Sequence, residues 1–407
     1  LSAAKPVVLF VDDEKELLDG LRRGLYAMRN EWTLLFAYGA DEALDLLSRQ
    51  RVDAVVSDMR MPKMDGAALL GLVQQRQPWA ARIILSGFSE REAVFRTVGP
   101  AHQYYPKPCP PLVLADGIKR ALAFRMTLQD PRLSSIVSGA NTIPTLPEAL
   151  TDLLRALGSN DGSASEVAKI IGADPSLAVS LLKITNSGFF YLPSPVSDVL
   201  QAVKILGFEM IRSLAIVAGI FDRIDSSKTD LPMIHRLVHR SLQIGHVSKQ
   251  IADKTGLSPT ISEEAHCAGL LSHVGSLLLF ANRPNFGAEL QENLDLAGSG
   301  ILSVERRLIG GNHAEIGGVL LGLWGFADPV VDAVLYHHQP RLSPTQSKDT
   351  PLLCVHVAQQ LLKVSGNGPA VAAVEGLDMD YLTKLGVVAQ VPIWAEIAAR
   401  IRQDSTR

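Results

Sequence analysis

Two hydrophobic rhythms divide the chain. Between residues 6 and 125, short apolar runs recur: VVLFV (7–11), TLLFAY (33–38), DAVVS (53–57), RIILS (82–86) and HQYY (102–105). Amphipathic segments separate them, among them ELLDGLRRGLYAM (16–28) and ADEALDLLSRQ (40–50). Strand-like runs alternating with helical periods predict a parallel sheet with helices on both faces. After Pro147 the alternation disappears and helical spacing takes over. It runs through SEVAKIIGADPSLAVSLLKITNS, LPMIHRLVHRSLQIGHVSKQIADKTG and EEAHCAGLLSHVGSLLLFANRP, with Gly and Pro as punctuation. The expected fold is therefore α/β followed by all-α. Residues 1–126 form a doubly wound (βα)5 domain, 127–140 a Ser- and Gly-containing linker, and 141–407 a helical domain with a helical C-terminal extension.

Composition narrows the function classes. A hydrophobic share of 47% and a charged share of 20% suit an ordinary globular core. The net charge of −3, with no block of like charges, gives no electrostatic footprint for nucleic acid. No apolar run approaches the ~18 residues of a membrane span. Cys109, Cys267 and Cys354 are widely spaced and form no CxxC. That usage fits reduced thiols and a cytoplasmic setting.

In the first domain the polar residues gather where strands end. Asp12 and Asp13 follow the first strand and Asp58 the third; Ser86 ends the fourth, and Lys107 follows the fifth. In an open parallel sheet, ligands bind at these carboxyl ends. Three carboxylates in one crevice repel each other unless a cation lies among them, and hard oxygen donors in a partly wet site suit Mg²⁺. Lys107 and Ser86 can then meet an incoming phosphoryl group, with Asp58 as the carboxylate nucleophile.

This constellation resembles the receiver domain of two-component response regulators. The resemblance implies that Asp58 is the phospho-acceptor. It implies that Asp12 and Asp13 hold Mg²⁺ together with Asp58 and the backbone carbonyl of Arg60. It places Ser86 and Lys107 on the phosphoryl group, makes Tyr104 the aromatic switch residue (Tyr105 is the weaker candidate) and expects a cis Lys107–Pro108 bond. The implied phosphodonor is a cognate histidine kinase. Receiver domains often pair through the face formed by their fourth helix, fifth strand and fifth helix, so a homodimer is a further expectation.

Nine of the ten histidines lie at or after position 235. On a helix, His235, His239 and His246 would share one face, as would His266 and His273. Imidazoles suit transition metals, but the surrounding motifs offer few carboxylates. The plainer expectation is packing histidines with satisfied ring nitrogens. The order of NTIPTLPEALTDLL, ADPSLAVSLLKITNSGFFYLPSP, AGLLSHVGSLLL, HAEIGGVLLGLWGF and AVLYHHQP resembles HDOD domains, HD-related output domains of bacterial signalling proteins. By that resemblance His239, Ser272, His273, His313, His337 and His338 occupy the positions of a degenerate HD site. Ser272-His273 replaces the His-Asp doublet, and no cofactor is expected in this half. The implied function is a phospho-switch whose non-catalytic helical domain binds an unidentified protein partner. The alternative is a metal-dependent phosphohydrolase or cyclic di-GMP phosphodiesterase.

Overall fold

The computed structural model describes residues 5–87, 101–126, 163–186, 194–208, 231–283, 285–297, 300–363 and 376–404, with isolated positions between 130 and 157 and at 192 and 211. The expected linker, apart from a few positions, and the aromatic run Phe189–Tyr191 lie outside the described residues, as does the side chain of Tyr104.

Five parallel strands form one sheet in the order β2-β1-β3-β4-β5. They are β1 (Val7–Asp12), β2 (Thr33–Tyr38), β3 (Ala54–Asp58), β4 (Ala81–Gly87) and β5 (Gln103–Lys107). The helices described between and after them are α1 (Lys15–Gly24), α2 (Ala40–Arg49), α3 (Gly66–Arg76) and α4 (Pro111–Met126). The central strands β1 and β3 are buried on both faces, which is why they read as unbroken apolar runs. Alternate residues feed two cores. Val8, Phe10 and Val56 pack with Leu18, Leu114 and Ile118 on one face. Leu9, Val11 and Val55 pack with Leu69 and Val73 on the other. The chain leaves β1 for β2 on one side and returns to β3 on the other. This reversal opens a crevice at the carboxyl ends of β1 and β3.

Every regular element described in the second half is a helix, and the α-helices are α5 (Ala164–Gly172), α6 (Pro175–Thr185), α7 (Val199–Leu206), α8 (Leu231–Thr255), α9 (Pro259–Leu271), α10 (Val274–Asn282), α11 (Phe286–Ala297), α12 (Ile301–Ile309), α13 (His313–Leu323), α14 (Asp328–Tyr336), α15 (Pro351–Leu361), α16 (Met379–Lys384) and α17 (Val391–Asp404). Polar caps set several starts. Ser163, Asp198 and Ser258 accept backbone N–H bonds at the heads of α5, α7 and α9. Asn312 and Glu315 form a capping box at the head of α13. Long α8 packs along α9 and α15, and α14 closes against α9, α13 and α15. Trp324, at the end of α13, is 2% exposed, as its helical spacing predicts. The two halves meet where α4 lies against α13, and Arg120 reaches Asp328 at 3.6 Å.

One predicted helix is two. The apolar period over 263–284 reads as continuous, but the chain turns at Ser272-His273 between α9 and α10. Ser272 Oγ bonds back to the Gly269 carbonyl at 2.8 Å, closing α9. α10 then runs close to the head of α13. Any Cβ at Gly275 would stand 2.1 Å from the His313 carbonyl oxygen, so only glycine fits that approach. His273 therefore sits at a helix junction, and it does not share a helical face with His266.

Candidate functional sites

At the sheet crevice, the ligand atoms of Asp12, Asp13 and Asp58 lie within 4.8 Å of one another. Asp12 and Asp58 are buried at the ends of β1 and β3, and Asp13 faces solvent. Lys107 reaches in from the end of β5. Its ammonium lies 2.7 Å from Asp12 and pairs closely with Asp58. Burial works to lower the Lys107 pKa, but hydrogen bonds to both carboxylates outweigh it and hold the group above its ordinary value. The amides of Glu14 and Arg60 donate to Asp12 and Asp58 at 2.9 and 3.1 Å. Ser86 is 1% exposed and pairs in register with Pro106, beside the strand position of Lys107. The Lys107–Pro108 bond is cis. Tyr104 contributes backbone to β5 opposite Ile84, and Tyr105 OH donates to Gln103 at 2.7 Å.

Three carboxylates against one ammonium leave a net negative, oxygen-lined crevice. It fits a hard divalent cation such as Mg²⁺, held by Asp12, Asp13 and Asp58. Gly66 makes the crevice possible. A Cβ there would stand 2.1 Å from the Asp58 carbonyl oxygen, so the loop after β3 can fold back only over a glycine. Gly66→Ala is expected to cost about 1–3 kcal/mol through backbone displacement. Urea unfolding of the purified chain measures it, and a loss near zero would mean that the loop relaxes freely.

The helical half gathers a second group, different from the one the motif order implies. His313 opens α13, His337 caps the end of α14, and His338 follows it. Their ligand nitrogens lie within 4.8 Å of one another. His313 Nδ1 meets Glu305 at 2.8 and 3.0 Å, and the His313 amide donates to the same carboxylate. His337 Nδ1 donates to the Val334 carbonyl at 2.7 Å. His356 lies behind, its Nδ1 donating to the His337 carbonyl at 2.8 Å. His273 stacks on His313 with centroids 5.4 Å apart, but its nitrogens engage Ser272 and Gln359. Burial holds the His273 and His338 pKa values well below the ordinary range and pushes that of His337 down to about 3; neighbouring imidazoles act in the same direction.

His239, expected at this site, is exposed on α8 outside the group. The helix turns its neighbour Arg240 inward instead, to the Gln359 carbonyl at 3.1 Å. His235 is exposed as well. His246 stacks on His266 at 5.6 Å, a separate pair. Sequence reasoning missed Glu305, which is 1% exposed. The signal was present: Glu305 occupies the apolar face of ILSVERRLI, beside Val304 and one turn before Ile309. Glu315, the acid nearest His313 in sequence, is spent on the capping box and on Arg306.

The buried imidazoles predict acid sensitivity. The His266 pKa is lowered to about 4 by burial, then by His246 and Lys249. A group depressed on folding binds its proton more readily in the unfolded chain, so stability falls as pH drops from about 6.5 toward 4. Between pH 7 and 5, unfolding should become easier, with His266 contributing on the order of 1 kcal/mol. His266→Gln should flatten the slope of urea midpoint against pH, and an unchanged slope would reject the assignment.

Comparison with known proteins identifies two domains. The family model described as the response regulator receiver domain matches residues 8–119, and the HDOD domain model matches 143–340. Together they define a response regulator: a receiver domain joined to an HDOD output domain. The chain is 26% identical over 215 residues to an uncharacterized protein of Treponema pallidum, covering 53% of this chain and 41% of that one. It is 38% identical over 124 residues to the hydrogenase transcriptional regulatory protein HoxA of Cupriavidus necator, covering 30% of this chain and 25% of that one. The chain thus spans less than half the length of these curated relatives. Among solved structures, the MmoQ response regulator of Methylococcus capsulatus is 22% identical, covering 62% of this chain and 98% of that one at a TM-score of 0.46. The receiver domain of an HD domain-containing protein from Pseudomonas fluorescens is 31% identical, covering 30% and 99% at a TM-score of 0.28. No helix among the described residues is long and apolar enough to cross a membrane.

Proposed function

We propose that Asp58 accepts a phosphoryl group from the phosphohistidine of a sensor kinase and that the HDOD domain passes this state to a protein partner without catalysis of its own. A carboxylate oxygen of Asp58 attacks phosphorus, the P–N bond of the donor breaks, and an acyl phosphate forms. The observation that carries the reading is Lys107 bridging Asp12 and Asp58, a fixed cation beside the nucleophile. Mg²⁺ held by Asp12, Asp13 and Asp58, with the Arg60 carbonyl, would neutralise charge on the transferring group. Ser86, buried beside Lys107, would donate to the same group, and Tyr104 is the proposed aromatic switch residue.

The output route is supported by the packing of α4 on α13 and by the Arg120–Asp328 contact. A change on the receiver face that includes α4 would bear directly on the helix that His313 opens. The hydrolase alternative is not favoured, because the His-Asp doublet is Ser272-His273, with His273 engaged by Ser272 and Gln359.

The test is incubation of the chain with acetyl phosphate and Mg²⁺. One phosphoryl group per chain should appear on Asp58 and vanish with chelator. Hydrogen exchange over α4 and α13 should change with it. Labelling at another residue would reject the acceptor, and unchanged exchange in α13 would reject the route.

A further inference from the structure

We infer that the chain just past α4 is a latch: Asp130, Arg132, Leu133 and Val137 dock on the Gly310-Gly311 turn between α12 and α13, and undocking carries the receiver's state to the helical domain. The docking stands on its own contacts. Its release by a phosphoryl group rests on the phospho-switch reading above.

Close approach builds the seat. Gly310 ends α12 in the left-handed region, which favours glycine, and a Cβ there would overlap the Asp130 carboxylate. Gly311 lies outside that region, so its conformation does not demand glycine. Contact does. A Cβ at Gly311 would overlap Leu133 Cδ2 and Glu315 Oε2. Neither neighbour can swing aside freely: Leu133 is 2% exposed, and Glu315 is tied to the Asn312 amide and to Arg306. The turn is shaped to accept the Leu133 side chain.

The latch has an apolar side and a polar side. Leu133 and Val137 stand one helical turn apart, hence on one face, and both are buried in a core shared with Leu122 of α4 and Ile309 of α12. On the polar side, Arg132 reaches the Arg307 carbonyl at 3.4 Å, in the last turn of α12, where a cation is favoured. Asp130 holds that guanidinium at 3.0 and 3.2 Å and accepts the Arg132 amide at 2.8 Å.

These contacts suit reversible docking. Arg132 is exposed, so its ion pair with Asp130 contributes little. Among the described residues, one polar bond crosses the contact, and it is long. The hold comes mainly from two apolar side chains, few enough for a displacement of α4 to peel them away. The position suits transmission. The latch begins shortly after Met126, where α4 ends, and α4 itself packs on α13. Gly311 adjoins Asn312, and Leu133 shares its seat with Glu315, so the latch bears on the capping box that starts α13.

The test is trypsin cleavage of the folded full chain at the Arg132–Leu133 bond, which docking protects. The rate at such a bond tracks how often the segment is open. Gly311→Leu fills the seat from the turn, and Leu133→Gln empties it from the segment. Each should raise the cleavage rate about tenfold or more with no phosphoryl donor present. Circular dichroism establishes that both variants are folded. Acetyl phosphate with Mg²⁺ should raise the wild-type rate in proportion to the label on Asp58, and Asp58→Ala should not respond. Unchanged cleavage in both folded variants would overturn the latch. A wild-type chain that carries label yet cleaves at the basal rate would overturn its release by the receiver. A chain that takes no label counts against the phospho-switch reading, and the two variants then decide the docking.

Discussion

Asp58→Ala is expected to abolish acyl-phosphate formation completely while the receiver domain stays folded. Asp58 ends β3, is 6% exposed and carries the carboxylate that Lys107 grips most closely. Alanine removes the proposed nucleophile, and neither neighbouring carboxylate can replace it in kind. Asp12 is held by Lys107 and the Glu14 amide at the end of β1, and Asp13 faces solvent. The fold should survive for a physical reason: losing one of three clustered carboxylates relieves repulsion, and Lys107 keeps Asp12 as its partner. Label counted per chain after incubation with acetyl phosphate, alongside a circular dichroism spectrum, measures both parts. Full labelling of the variant would remove Asp58 from the acceptor role. Loss of the fold would mean that the Lys107 bridge, and not chemistry, accounts for its position.

His313→Ala is expected to destabilise the helical domain by about 3–5 kcal/mol, because it strands Glu305 as a buried acid without its ring partner. Both residues are 1% exposed, and after the change the carboxylate keeps, among the described residues, only the backbone N–H at position 313. The loss of the ring also opens space against His273 and His338. Adding Glu305→Leu to His313→Ala should recover part of the loss, since it removes the orphaned group. Urea unfolding followed by helix signal gives both values. A single-variant loss under about 1 kcal/mol would show that Glu305 is not held by this ring.

Much of the receiver was legible in advance. Its strands are short apolar runs and its chemistry follows a topological rule, so Asp12, Asp58, Ser86 and Lys107 could be placed from where runs ended. Strand edges moved by a residue or two, because hydrogen bonding and not hydrophobicity decides where a ladder stops. The helical half was legible in class but not in detail. A continuous apolar period concealed the break at Ser272-His273. Ser272 closing α9 and the glycine approach at Gly275 are contacts between segments, and periodicity carries no trace of them.

The histidines show the same division. Sequence by itself determined that nine of them lie in one half and that the His-Asp doublet is Ser272-His273. Only the tertiary structure decided which of them meet. His239 faces solvent although its motif position pointed inward, because the register of α8 gives the inner place to Arg240. His313 opens α13, His337 and His338 stand just past the end of α14, and Glu305 lies on α12. Their convergence depends on crossing geometry fixed by packing of long-range partners, which no local pattern encodes.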